Sequence, residues 1–116
     1  MTNRAKAKGS KAEKAVSDYL LAAGFTIAAR IPAGATLDVG DLLLPADVPC
    51  TVDVKDHATP KLAEWVDRAV EQADNAHRPA GFVWHKRRGH TDPGRWYVTT
   101  SGDMFTAYTL RLLGIQ

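Results

Sequence analysis

The chain has 116 residues, of which 45% are hydrophobic and 24% charged, with a formal net charge of +2. This composition is typical of one ordinary soluble domain, and no apolar run approaches the roughly 20 residues that a membrane-spanning helix needs. Cys50 is the single cysteine, which excludes an internal disulfide and a multi-cysteine zinc site, and no signal-peptide pattern is visible. We therefore expect a cytoplasmic protein in which Cys50 is a small buried side chain.

Three helices and five strands are predicted in chain order from periodicity and capping signals. The helices are expected to begin at Ser10, at Thr59-Pro60 and at Ser101, because a hydroxyl side chain suits the N-cap position. The predicted strands are residues 25–31, 37–44, 50–55, 81–85 and 95–99. The order αβββαββα predicts an α/β fold with a mixed central sheet flanked by helices, in which the third and fourth strands are parallel.

Charged residues interrupt the apolar pattern of the predicted hairpin. Because successive residues of a strand point to opposite faces, Asp53 and Lys55 share one face. A hairpin closed symmetrically about residue 47 places Asp41 opposite Asp53 and pairs residue 42 with residue 52. Two facing carboxylates repel each other, so either Lys55 neutralises them or a divalent cation such as Mg²⁺ binds between them. The residues alone leave both interpretations open.

Basic residues are concentrated in two clusters. The first lies within residues 1–14, and residues 1–8 are predicted to form a flexible basic tail ahead of a single domain, residues 9–116. The second cluster follows the predicted fourth strand. Either cluster is suited to phosphate, although a solvated tail or loop has the same composition. The candidate nucleic-acid contacts are Arg4, Lys6, Lys8, Ser10, Lys11, Lys86, Arg87 and Arg88.

The sequence resembles the PD-(D/E)XK nuclease superfamily, and within it the archaeal-type Holliday junction resolvases and their phage relatives. The family pattern is a Glu on the first helix, an acid on the second strand, and Asp or Glu, any residue and Lys on the third. Here Glu13, Asp41, Asp53 and Lys55 occupy those positions, and residues 9–14, Gly-Ser-Lys-Ala-Glu-Lys, look like the start of the resolvases. Two positions depart from the pattern, because Gly40 replaces the proline and Asp53 is the less common second acid.

The resemblance implies a restriction-endonuclease-like core and an enzyme that hydrolyses phosphodiester bonds in branched DNA, a Holliday junction resolvase of DNA recombination and repair. It implies that Glu13, Asp41, Asp53 and the carbonyl of Val54 bind Mg²⁺, for which Mn²⁺ may substitute. Lys55 is then expected to orient or deprotonate the attacking water.

Two further residues are candidates near this site. Gln72 lies on the predicted polar side of the second helix, where a side chain is ordinarily solvated, and it is a possible hydrogen-bond donor. Asp38 is a rival to Asp41 for the metal, but strand alternation places it on the opposite face.

A junction has two strands to cut, so the resemblance also implies a two-fold homodimer, in the host cytoplasm if the chain is phage-encoded. The last helix is expected to turn Phe105, Tyr108, Leu112 and Leu113 inward. Alternatively, some of these apolar side chains, together with Tyr97, form a dimer interface. Two other functions stay open: a different PD-(D/E)XK DNA endonuclease for nicking, repair or restriction, and a non-catalytic nucleic-acid-binding module.

Overall fold

The computed structural model describes residues 3–27, 29–32, 34 and 36–115, and it has the predicted α/β order αβββαββα. The elements in this part of the chain are α1 (Asn3–Ala22), β1 (Ala29–Arg30), β2 (Leu42–Leu43), β3 (Cys50–Lys55), α2 (Leu62–Asn75), β4 (Ala80–His85), β5 (Tyr97–Thr99) and α3 (Gly102–Leu112). None of the helices described has both the length and the apolar character that crossing a membrane requires.

The five strands form one sheet in the order β1-β2-β3-β4-β5. Neighbouring strands are antiparallel except β3 and β4, which are parallel and connected through α2, as predicted. In the hairpin Leu42 pairs with Val52, so the predicted register is confirmed. The long strands β3 and β4 occupy the middle of the sheet, where side chains on both faces are covered.

Helices pack on both faces of the sheet, as aromatic contacts on β4 show. Ring centroids are 5.8 Å apart for Tyr19 and Trp84, 5.0 Å for Tyr108 and Phe82, and 5.4 Å for Trp65 and His85. Trp84 and Phe82 alternate with His85 along the strand, so α1 and α3 cover one face and α2 covers the other. Asp53 lies on the α2 face and is only 5% exposed, which makes it a buried charge.

Some predicted boundaries were wrong. Helix α1 begins at Asn3 rather than Ser10, because the alanine- and lysine-rich residues before Ser10 also favour a helix, and it includes residues 3–8. Helix α2 begins at Leu62 without a side-chain cap, so Thr59 does not cap it. Strands β1 and β2 are two residues each, far shorter than predicted.

The start of α3 was predicted correctly, but its buried face was not. Ser101 is the N-cap, and its hydroxyl accepts a hydrogen bond from the amide of Met104 at 3.3 Å. Met104 is buried and Tyr108 is half-buried, four residues on along the same face. Phe105, Leu112 and Leu113 are instead more than half exposed, so the prediction that they point inward was wrong. Cys50 is free and buried, as expected.

Candidate active site

Two carboxylates from the hairpin project into the same cleft. Asp53 lies on β3, and Asp41 immediately precedes β2. The Val54 amide donates a hydrogen bond of 2.7 Å to Oδ2 of Asp41, and the Asp41 amide donates one of 2.8 Å to the Val52 carbonyl. These bonds hold the Asp41 side chain close enough to Asp53 for the two carboxylates to interact. The structure thus brings together the two acids that the hairpin register predicted to be neighbours.

The charge on this pair is poorly compensated by the protein. Burial raises the pKa of Asp41 to about 8, and the charge of Asp53 adds to the shift, with a smaller contribution from Glu13. Asp41 therefore holds a proton at neutral pH when the protein is alone. The surroundings therefore do not accommodate two ionised carboxylates unless further positive charge is added.

Lys55 lies beside Asp53 and forms an ion pair with it. Its Nζ is 3.1 Å from Oδ2 of Asp53, and the lysine is half-buried. The approach does not have the directions of a hydrogen bond, however, and this buried Oδ2 has no hydrogen-bond partner. A buried carboxylate oxygen without a partner is unusual in a folded protein and suits a cation.

Glu13 approaches the pair from α1 but is engaged elsewhere. Its Oε2 is 3.6 Å from Nη2 of Arg30, and it lines the same cleft as Asp41 and Asp53. Within residues 3–27, 29–32, 34 and 36–115, no group of three or more His, Cys, Asp or Glu side chains is arranged to hold a metal ion. The donors that the structure does assemble are two carboxylates, which fit Mg²⁺ because this ion keeps several of its waters.

Asp38 lines the same cleft, so its predicted position on the opposite face was wrong. Gly40 has a φ of +88°, and a chain that turns through this conformation no longer alternates its side chains. The Asp38 carboxylate accepts hydrogen bonds from Arg68 Nε at 2.8 Å, from Gln72 Nε2 at 3.2 Å and from the Gly40 amide at 3.0 Å. Burial raises the pKa of Asp38, but these bonds outweigh it and the pKa lies below its ordinary value.

Gln72 is buried, not solvated as predicted. It is 3% exposed, and its Oε1 has no hydrogen-bond partner, while Nε2 bonds to Asp38. Residue 72 is seven positions after Trp65 and three after Ala69, so it falls on the buried stripe of α2. That spacing was visible in the sequence and would have predicted that Gln72, already a candidate, is buried.

Basic side chains surround the acids and extend beyond them. The cleft has a volume of about 1370 Å³, and Lys6, Lys8, Ser10, Arg30 and Arg68 are among its lining residues. Arg30 and Arg68 were not among the predicted contacts, because single arginines in a strand and a helix carry no clustering signal. The predicted contacts Arg4 and Lys11 are exposed on α1 outside this lining, and Lys86, Arg87 and Arg88 line a neighbouring cavity.

Searches of protein-family models, curated proteins and solved structures gave no match to this chain. A function for the cleft must therefore be argued from its geometry, since a fold alone does not determine what a protein does.

Proposed function

We propose that this protein is a metal-dependent endodeoxyribonuclease that hydrolyses phosphodiester bonds in branched DNA, acting as a Holliday junction resolvase. The observation that carries the proposal is the pair Asp41 and Asp53, adjacent and under-neutralised in a cleft with basic side chains around it. Nucleases need this combination, because the acids hold a cation and the basic rim holds phosphates.

The residues have distinct parts in this proposal. Asp41 and Asp53 would hold Mg²⁺ or Mn²⁺, with the Val54 carbonyl and Glu13 as further oxygen donors. A cation bound there supplies charge stabilisation to the phosphate that is cleaved. The Val54 amide fixes one oxygen of Asp41, which leaves the other free to bind. Lys55, beside Asp53, orients the attacking water and offsets charge on a phosphate oxygen.

Exposed apolar side chains support a homodimer, the form suited to a junction with two strands to cut. Val98 is 50% exposed on the edge strand β5, and Phe105 and Leu112 on α3 and Leu113 directly after it are 51–67% exposed. Exposed large apolar side chains of this kind mark an interaction surface on many proteins. Tyr97 is on the other face of β5, so it is not part of this surface.

The test is cleavage of a labelled four-way junction with and without Mg²⁺, beside flap, nicked and linear duplex DNA. We expect Mg²⁺-dependent cleavage of the junction in preference to linear DNA. Asp53→Asn and Lys55→Ala should abolish cleavage with junction binding retained. Equal cleavage of all substrates would point to a less selective endonuclease, and cleavage by Asp53→Asn would show that the site is wrong.

A non-catalytic nucleic-acid-binding module is the second candidate. The contact between Glu13 and Arg30 favours it, since it engages the expected third acid in an ion pair. In that case Lys55 serves only to neutralise the buried acids. Titration calorimetry with Mg²⁺ and Mn²⁺ distinguishes the two candidates, because a binding module of this kind gives neither heat nor thermal stabilisation.

A further inference from the structure

A second cavity of about 440 Å³ opens beside the acidic cleft. Its walls come from α1, from the loop after β3, from the end of β4 and the following loop, and from β5. The cavity lining includes Lys8, Lys86, Arg87, Arg88, His57 and Tyr97. Lys8, Asp56, His57 and Ala58 line both spaces, so the cavity and the cleft are contiguous.

A row of side chains links the two spaces across the sheet. Lys55 of β3 is paired with His85 of β4, and His85 is paired with Tyr97 of β5. Paired residues of neighbouring strands point to the same face, so Tyr97 lies on the Lys55 face about 10 Å away, or two strand spacings. That distance corresponds to about three stacked nucleotides of one DNA strand.

One carboxylate, that of Asp56, positions two of the lysines that line the cavity. Asp56 directly follows Lys55 and its side chain is 15% exposed. Its two oxygens lie 3.7 Å from Nζ of Lys8 and 3.9 Å from Nζ of Lys86. One acid thus holds lysines from α1 and from the end of β4 near each other, which is a suitable arrangement for a phosphate group.

The cavity also provides a flat surface. The Arg87 guanidinium lies over the Tyr97 ring at 5.5 Å, and the His85 and Tyr97 ring centroids are 5.7 Å apart. His85 is buried, and its Nε2 is 2.8 Å from Oγ1 of Thr99, so the support behind Tyr97 is fixed. Aromatic rings and guanidinium planes are the surfaces on which proteins stack unpaired bases.

We propose that this cavity binds one unpaired nucleotide of the DNA, about three positions from the phosphodiester that is cleaved. Lys8, Lys86 and Arg88 hold its phosphate, and its base stacks on the Arg87 guanidinium, which the Tyr97 ring supports. A base inside a duplex has both faces covered by its neighbours, so only an unpaired nucleotide can enter. The inference rests on the proposed function for the position of the cut, and it specifies the substrate as DNA with an unpaired nucleotide about three positions away.

Binding measured without cleavage tests the subsite. Fluorescence anisotropy in EDTA would compare a labelled duplex with the same duplex carrying a single-nucleotide bulge. Stacking of the unpaired base should strengthen binding, so we expect the bulged probe to bind about tenfold more tightly. Tyr97→Ala should reduce this ratio below about twofold, whereas Tyr97→Phe should retain it. Lys86→Ala should weaken binding of the bulged probe more than binding of the duplex, because Lys86 holds the phosphate of the unpaired nucleotide.

The matched control substitutions lie outside both the cleft and the cavity. Phe25→Ala removes an exposed aromatic ring, and Lys14→Ala removes an exposed positive charge; both should leave the ratio unchanged. Equal binding of the two probes by the wild type, or an unchanged ratio in Tyr97→Ala, overturns the subsite. Cleavage of the same probes in Mg²⁺ separates the two proposals. If the protein cleaves DNA but binds both probes equally, the subsite alone is rejected. If it prefers the bulged probe but cleaves neither, the nuclease function alone is rejected.

Discussion

Two acidic regions face the same cleft and are held in opposite ways. Asp38 receives hydrogen bonds from Arg68, Gln72 and Gly40, and its pKa is lowered. Asp41 adjoins Asp53, shares its buried surroundings, and has its pKa raised to about 8. Asp38 is satisfied by hydrogen bonds within the protein and contributes to its stability. The carboxylates of Asp41 and Asp53 are not satisfied in this way. The comparison indicates that a cation should be sought at the pair, although Asp38 is the acid with more side-chain contacts.

The largest expected effect is on cation binding. Mg²⁺ at 100 times its dissociation constant should stabilise the wild type by about 2.7 kcal/mol, which corresponds to a rise in Tm of about 10 °C. Asp53→Asn removes a carboxylate of the pair and should abolish this rise, with binding more than about 100-fold weaker. Differential scanning fluorimetry and calorimetry measure both. Asp38→Asn is the matched control and should keep the response; the reverse pattern would assign the site to Asp38.

The next effect is a dependence of stability on pH in the metal-free protein. The native state binds one more proton than the unfolded state between the ordinary pKa of Asp41, 3.8, and its folded pKa of about 8. The contribution of Asp41 is thus fully present below pH 4 and is lost as pH rises, by at most about 1.4 kcal/mol per pH unit. Urea unfolding in EDTA at pH 5, 6 and 7 measures the slope. Asp41→Asn should flatten it, and a slope that persists would mean that another group holds the proton.

The sequence predicted the centre of the sheet better than its edge. Strand β3 was predicted with its observed bounds, because residues 50–55 are rich in β-branched side chains. The hairpin register followed from closing the connection symmetrically about residue 47. Strand β2 is only two residues long, since the chain turns at Gly40. The neighbours Asp41 and Asp53 were therefore predictable from local pattern, whereas the contacts of Asp38 were not. The contacts between Asp38 and α2 join residues 30 to 37 positions apart in the sequence, so they depend on how α2 packs against the sheet.

Gly40 separates the two acidic regions, so replacing it should perturb both. Its φ is +88°, and a Cβ at this position would lie 2.9 Å from the Val52 carbonyl oxygen. Gly40→Ala should destabilise the protein by about 1–3 kcal/mol, as expected for a strained conformation. Urea unfolding measures the loss. Gly34→Ala is the control for positive φ alone, because a Cβ there has no atom within 4 Å. Equal losses in the two variants would show that crowding at Val52 is unimportant.

The smallest effect should come from Arg68, which binds the satisfied acid at the surface. Its side chain is 53% exposed, and Nη2 lies 2.7 Å from Oδ2 of Asp38. Arg68→Ala should lower stability only slightly, because an exposed ion pair contributes little. The Asp38 pKa, measured by NMR titration, should rise toward its ordinary value, since the guanidinium helps to lower it. Gln72 and the Gly40 amide keep Asp38 in place, so Mg²⁺ stabilisation should persist. If Arg68→Ala abolished that stabilisation, the two acidic regions would be one functional unit.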